Sequence, residues 1–248
     1  MSTPSRPADE VAVVSGASSG IGRAIAQRLL DRGLTVVTLQ RSAPQDTHPR
    51  LLHRAVDLAD LAATRAIAVE VAAAFPVRYL VNNAGANCPA LLEDATIEDL
   101  QYVNNITLGA ALLLTQAVVP AMRAARFGRI VNVSSRAALG KRGRAVYSTA
   151  KAGLVGMTRT LAIETGADGI TVNVVLPGPV ATAHFNRGHP EGSVQRRTVT
   201  DHVLVGRVGT PEDVAHAVAF LLDRDSSFIT GQALFVCGGT SVTGTNGQ

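Results

Sequence analysis

The stretch Val11-Ala12-Val13-Val14-Ser15-Gly16-Ala17-Ser18-Ser19-Gly20-Ile21-Gly22 decides the fold of this chain. Its first four residues are all apolar, the pattern of a strand buried on both faces. From Ile21 to Leu30 the apolar period becomes helical, and Gly33 follows as a C-terminal signal. Between strand and helix, glycines at 16, 20 and 22 permit a tight turn and a close approach of backbone to a ligand. This arrangement presents bare N–H groups to phosphate oxygens at a helix N-terminus. The plainer alternative is a glycine-rich connector.

Working outward, the pattern repeats. Leu34–Leu39, Leu52–Val56, Tyr79–Val81, Arg129–Val133, Ile170–Leu176 and Ala233–Val236 read as further strands. Helical segments are expected over Ala59–Phe75, Thr96–Ala125, the stretch bearing Tyr147, and Thr210–Leu222. Thr96-Ile-Glu-Asp99 has the form of a capping box, and Pro211 suits a first helical position. Strands alternating with helices imply an α/β fold, a doubly wound parallel sheet of about seven strands with helices on both faces. No linker interrupts the pattern, so residues 1–248 are expected to form a single domain, with 1–9 and 241–248 as loose termini. Residues 180–205 show little periodicity and many polar and basic side chains, as expected of a substrate lid.

Composition excludes several classes of function. Of 248 residues, 46% are hydrophobic and 17% charged, which suits a packed domain and not a disordered one. The net charge of +4 is mild, and the arginines are scattered, so no nucleic-acid partner is expected. Two cysteines, Cys88 and Cys237, make neither a disulfide framework nor a metal cluster. The polar start at Met1–Glu10 and the absence of a clean apolar span lead to the expectation of a cytoplasmic protein without a membrane partner.

Two strand ends carry further signals. At the second, Gln40-Arg41-Ser42 lacks the acid that would bond a free ribose 2′-hydroxyl, while Arg41 and Ser42 suit a 2′-phosphate. That favours NADP, with NAD possible as the alternative cofactor. Asp57-Leu58, after the third strand, is placed for the adenine edge. After the fourth, Asn82-Asn83-Ala84-Gly85 lets a cofactor lie against the backbone while the amides brace neighbouring strands.

Tyr147-Ser148-Thr149-Ala150-Lys151 sets a phenol and an ammonium one helical turn apart on one face. A neighbouring positive charge lowers a phenol's pKa and suits it to proton transfer. Lys141 and Lys151 are the only lysines among 23 Lys plus Arg, so lysine at 151 stands out as a choice of compact charge over planar fork. A chance Tyr/Lys pair on an amphipathic helix is the bland alternative.

Taken in order, Gly16-Gly20-Gly22, Asn82-Asn83-Ala84-Gly85, Ser135, Tyr147/Lys151 and Pro177-Gly178 give a chain that resembles the short-chain dehydrogenase/reductase family from about Val11 to Gly239. The spacing looks most like the 3-oxoacyl-thioester reductase branch. The resemblance implies a Rossmann-type fold, hydride exchange between a nicotinamide and a carbonyl or secondary alcohol, and a homotetramer. It implies Tyr147 as proton donor and acceptor, Lys151 on the nicotinamide ribose, and Ser135 on the substrate oxygen. Ser134 is a second candidate, because Ser135 precedes Tyr147 by one residue fewer than is common in relatives. Gly16, Ser18, Ser19, Gly20, Ile21, Gly22, Arg41, Ser42, Asp57, Leu58, Asn83, Ala84 and Gly85 are the expected cofactor contacts on one side. Tyr147, Lys151, Pro177, Gly178, Val180 and Thr182 are those on the other. The resemblance also implies long helices buried between subunits, and the face of Leu154, Met157 and Leu161 is compatible with that; packing on its own sheet is the alternative.

Three residues depart from the family pattern. Ser15 stands for a usual threonine, and Cys237 for a usual aspartate. Thr107 occupies the position where relatives place an asparagine that completes a proton relay through water; Asn104 and Asn105 lie nearby. Thr107 is expected to hold the relay water, helped by Asn104 or a small register shift, and the alternatives are a slow enzyme or a non-catalytic dinucleotide-binding protein. Arg142, Arg144, His184, Arg187, Arg196 and Arg197 are placed to attract an anionic substrate, or are solvated surface cations.

Overall fold

The computed structural model describes residues 10–243. Its centre is one seven-stranded sheet of order β3-β2-β1-β4-β5-β6-β7, parallel throughout. The strands are β1 (Val11–Ser15), β2 (Thr35–Gln40), β3 (Leu51–Ala55), β4 (Val77–Asn82), β5 (Gly128–Val133), β6 (Ile170–Pro177) and β7 (Ala233–Val236). The helices are α1 (Gly20–Asp31), α2 (Leu61–Ala74), α3 (Ile97–Asn104), α4 (Ala110–Ala124), α5 (Ala145–Thr165), α6 (Ala183–Gly188), α7 (Val194–Asp201) and α8 (Pro211–Leu221).

Alternating side chains divide the core into two. Ala12 and Val14 of β1 face the layer of α1 and α8, with Ile25, Leu29, Val214 and Val218. Val11 and Val13 face the other layer, with Val71 of α2 and Leu114, Val118 and Met122 of α4. The strand order reverses between β1 and β4, where an open α/β sheet leaves a crevice at the carboxyl ends of its strands.

Buried polar side chains tie together the elements on one side of that crevice. Asn82 Nδ2 donates to Asn132 Oδ1 at 2.9 Å, Asn132 Nδ2 to Thr158 Oγ1 at 2.8 Å, and Thr158 Oγ1 to the Leu154 carbonyl at 2.7 Å. Every donor in this ladder has a partner, so it fixes β4, β5 and α5 against one another.

Four expectations change. First, residues 183–188 and 194–201 are short helices, each started by a hydroxyl cap: Thr182 accepts from Phe185 N and Ser193 from Arg196 N. Second, the helix expected over Thr96–Ala125 is continuous but carries a π-helical turn at Asn105–Gly109. Third, Leu154 is already buried within the chain, so of the face offered for subunit contact only Met157 and Leu161 keep partial exposure. Fourth, the chain past Thr240 begins with a turn in which Val242 N donates to the Gly239 carbonyl at 3.0 Å; the rest of the two expected loose ends, 1–9 and 244–248, lies outside the described residues.

By length and composition Ile97–Ala124 would cross a bilayer. Here its apolar residues Ala110, Leu114, Val118 and Met122 fill the core instead.

Candidate active site

The glycine turn is built by close approaches. Gly16 (φ +68°) and Gly20 (φ +55°) take left-handed conformations open to glycine. At Gly22 a Cβ would fall 2.2 Å from the Gly16 carbonyl oxygen and 2.5 Å from Asn83 Nδ2. Asn83 Nδ2 donates to the carbonyls of Ser15 and Gly16, and Ser15 Oγ accepts the N–H groups of Asn83 and Ala84. Gly22→Ala is therefore expected to destabilise the fold by about 1–3 kcal/mol and to impair dinucleotide binding. Thermal unfolding and a titration check it; an unchanged melting temperature would contradict this packing.

Gln40, at the end of β2, is a functional residue that sequence reasoning missed. Its Oε1 accepts the Ala17 N–H at 3.0 Å, so β2 shapes the turn from the side. Beyond it Arg41 and Ser42 are exposed. An acid does follow in this connection, but Asp46 is gripped by Arg23 of α1 through two 2.6 Å bonds. Ser18 and Ser19 are exposed, and Ile21 is partly buried. Across the crevice Thr182 faces Gly20: a Cβ on Gly20 would lie 3.1 Å from Thr182 Cγ2. Val180 is buried and bridges to Gly209, while Gly178 N donates to the Val236 carbonyl at the end of β6. Asp57 Oδ1 caps its own turn through Ala59 N, and the Leu58 side chain belongs to the core, not to the crevice wall.

On the other side of the sheet switch, α5 supplies the polar groups. Lys151 is 4% exposed, and its Nζ donates to the Val133 carbonyl at 2.8 Å. A Cβ on Gly85 would lie 3.1 Å from Lys151 Nζ and 3.6 Å from Thr107 Oγ1, so the three groups meet at one wall. Desolvation lowers the Lys151 ammonium to a pKa of about 8. Its Nζ is 5.8 Å from the centre of the Tyr147 ring.

The expected lowering of the Tyr147 pKa is not what the structure gives. Burial dominates and raises the phenol above its ordinary value, while a hydrogen bond with Ser135 and the Arg144 charge pull it part of the way back. The two serines have separate tasks: Ser134 Oγ donates to the Lys151 carbonyl at 2.6 Å, leaving Ser135 as the one beside the phenol.

Thr107 sits in the π-helical turn, a distortion often found at functional sites. Its buried hydroxyl and the Oδ1 atoms of Asn104 and Asn87 have no hydrogen-bond partner among the described residues. Such groups ordinarily require one. Asn105 points elsewhere, donating to the Ala59 carbonyl at 3.4 Å.

Comparison with known proteins agrees with this geometry. A family model described as Enoyl-(Acyl carrier protein) reductase matches residues 16–241. The chain is 38% identical to the BbsD subunit of a (hydroxy(phenyl)methyl)succinyl-CoA dehydrogenase from Thauera aromatica, over 94% of this chain and 97% of that one. It is 36% identical to the 3-oxoacyl-(acyl-carrier-protein) reductase FabG of Rickettsia bellii, over 93% and 96% of the two chains. A solved structure from Beutenbergia cavernae, described as an NAD(P)-dependent gluconate 5-dehydrogenase with bound NADP, superposes with a TM-score of 0.85. The identity is 34%, covering 95% of this chain and 99% of that one.

Proposed function

The chain belongs to the short-chain dehydrogenase/reductase family of oxidoreductases, and from that premise we propose that it reduces a carbonyl group, with a 3-oxoacyl thioester as substrate, using NADPH. The observation that carries the reading is the meeting of Tyr147, Ser135, Lys151 and Gly85 at the strand ends opposite the glycine turn.

The cradle fits a dinucleotide. Side chains are missing where Gly16 and Gly22 let backbone close up, and α1 opens without a side-chain cap at Ser19, leaving its N–H groups for phosphate. Gly16, Gly20, Gly22 and Thr182 would hold the diphosphate, Arg41 and Ser42 the 2′-phosphate, Gly85 and Lys151 the nicotinamide ribose, and Gly178 with Val180 the carboxamide side. When bound, the nicotinamide supplies hydride to the carbonyl carbon.

The chain's own residues then handle the oxygen. Ser135 donates a hydrogen bond to it, and Tyr147 transfers its phenolic proton there as negative charge develops. Burial supports this direction: a phenol held above its ordinary pKa keeps its proton at neutral pH. Lys151, next in line, replaces the proton through water held by the Thr107 hydroxyl with Asn104. Thr107→Val is expected to slow turnover about tenfold, whereas Thr107→Asn retains it; equal rates for wild type and Thr107→Val remove the relay role.

NADPH oxidation with 3-oxoacyl thioesters and a panel of ketones tests the whole reading. Arg41→Asp is expected to cut kcat/KM for NADPH about ten- to a hundredfold, the range of a lost charged hydrogen bond, and to spare NADH. Equal use of both cofactors by the wild type would favour an NAD-dependent alcohol dehydrogenase instead. The proposal also includes a cytoplasmic homotetramer; light scattering that returns a monomer removes that part.

A further inference from the structure

The loop between Ser135 and Tyr147 holds a charge pattern that the reaction itself does not use. Arg136, Lys141, Arg142 and Arg144 lie within nine positions of one another. None of the four forms an ion pair among the described residues, while seven other arginines are paired with carboxylates. Partial desolvation lowers the Lys141 ammonium, and repulsion from Arg144 and Arg136 lowers it further. Uncompensated like charges gathered in one loop oppose folding and favour a counter-charge.

Two of these cations, Lys141 and Arg142, border a cavity of about 450 Å³. Its walls are the Ala90–Glu93 segment, the Gly140–Gly143 turn, and Ala145 and Ser148 in the first turn of α5. A backbone bond from Ala90 N to the Gly143 carbonyl at 3.2 Å joins the two loops. A lining hydroxyl and the start of a helix lack partners. The Ser148 hydroxyl is buried and unbonded, and α5 begins at Arg144 with no side-chain cap on its free N–H groups. Glu93 is the one carboxylate on the rim, and it pairs with none of the cations.

Cavity, cations and unbonded donors share one chemistry. We propose that this cavity is a substrate-recognition subsite for an anionic group that the substrate carries apart from its carbonyl, held by Lys141, Arg142, Ser148 and the start of α5. The inference rests on the reductase reading: Tyr147 immediately precedes the cavity-lining Ser148 on α5, so a substrate whose carbonyl meets Tyr147 would carry its further groups towards this loop. A phosphate ester, as in the pantetheine arm of a thioester, and a plain carboxylate would both fit this donor set.

The test compares charged and neutral substrates on the full-length protein. Free coenzyme A is titrated calorimetrically into wild type, Lys141→Gln/Arg142→Gln and Lys141→Arg. The double variant is expected to bind at least tenfold more weakly, and Lys141→Arg to bind as wild type does. In parallel, acetoacetyl-CoA is compared with the neutral N-acetylcysteamine thioester of acetoacetate and with 4-oxopentanoate. The ratio of kcat/KM for the charged over the neutral thioester is expected to fall about tenfold in the double variant, mainly through KM, and to shrink with added salt in the wild type. A fall confined to 4-oxopentanoate identifies carboxylate as the source. Equal losses on charged and neutral substrates, or no loss on any anion, overturn the subsite. Should no carbonyl be reduced at all, the reductase reading fails, while the coenzyme A titration still decides whether the cavity takes anions.

Discussion

Tyr147→Phe is expected to lower kcat about a thousandfold or more, near the upper range for removing a positioned general acid. The substitution takes one oxygen from the site and leaves the ring, so packing and dinucleotide affinity should hold. Ser135 then remains as the sole hydroxyl at the substrate oxygen, able to bond it but not to complete the proton transfer. Single-turnover rates with NADPH and far-ultraviolet dichroism on the same sample check the claim. Full activity in a folded variant would remove Tyr147 from its proposed role and the reductase mechanism with it.

Lys151→Met is expected to do two opposite things: abolish turnover by at least a hundredfold and stabilise the fold. Desolvation holds the folded pKa at about 8, against about 10.4 in an unfolded chain. Below pH 8 both states are protonated, and the buried charge costs the wild type about 3 kcal/mol. Methionine removes that penalty but leaves the Val133 carbonyl without the 2.8 Å bond it accepts, so the expected gain is about 2 kcal/mol. Between pH 8 and about 10.4 the unfolded lysine binds more protons than the folded one, so wild-type stability rises with pH and the variant's advantage closes. Denaturant midpoints for both proteins at pH 7 and pH 10 measure this. A variant less stable than the wild type at pH 7 would mean that Lys151 is not the desolvated charge described.

Much of the architecture was legible because its signals are local. Apolar runs such as Val11–Val14 and Val174–Leu176 can be buried on both faces only in a parallel sheet with two helical layers, and glycine spacing marks the first turn. The helices at 183–188 and 194–201 escaped because they are short and polar; only the hydroxyls of Thr182 and Ser193 announce them, and those were there to be read. Asn105-Ile106-Thr107-Leu108-Gly109 has ordinary helical periodicity, so nothing in it reveals a widened turn. The pairing of Tyr147 with Lys151 followed from a spacing of four, yet the direction of the tyrosine's shift did not. Proximity in sequence fixes which groups share a face, whereas desolvation depends on everything else that covers them. In sequence Gln40 is simply the residue that follows the apolar run Leu34–Leu39; its task appears only once β1 and β2 lie side by side, since Ala17 is 23 residues away. The choice between Ser134 and Ser135 waited on geometry for the same reason.

The strand order has a practical corollary for protein engineers. On the proposed reading, nucleotide preference would reside in β2 and its exit, two strands to one side of the crossover, while the loop after β5 on the other side would meet the substrate. The two halves meet at Gly85 and where Thr182 faces Gly20; Arg41 and Lys141 belong to separate loops, so on that reading substitutions that change redox currency and substrate range should combine with near-additive effects.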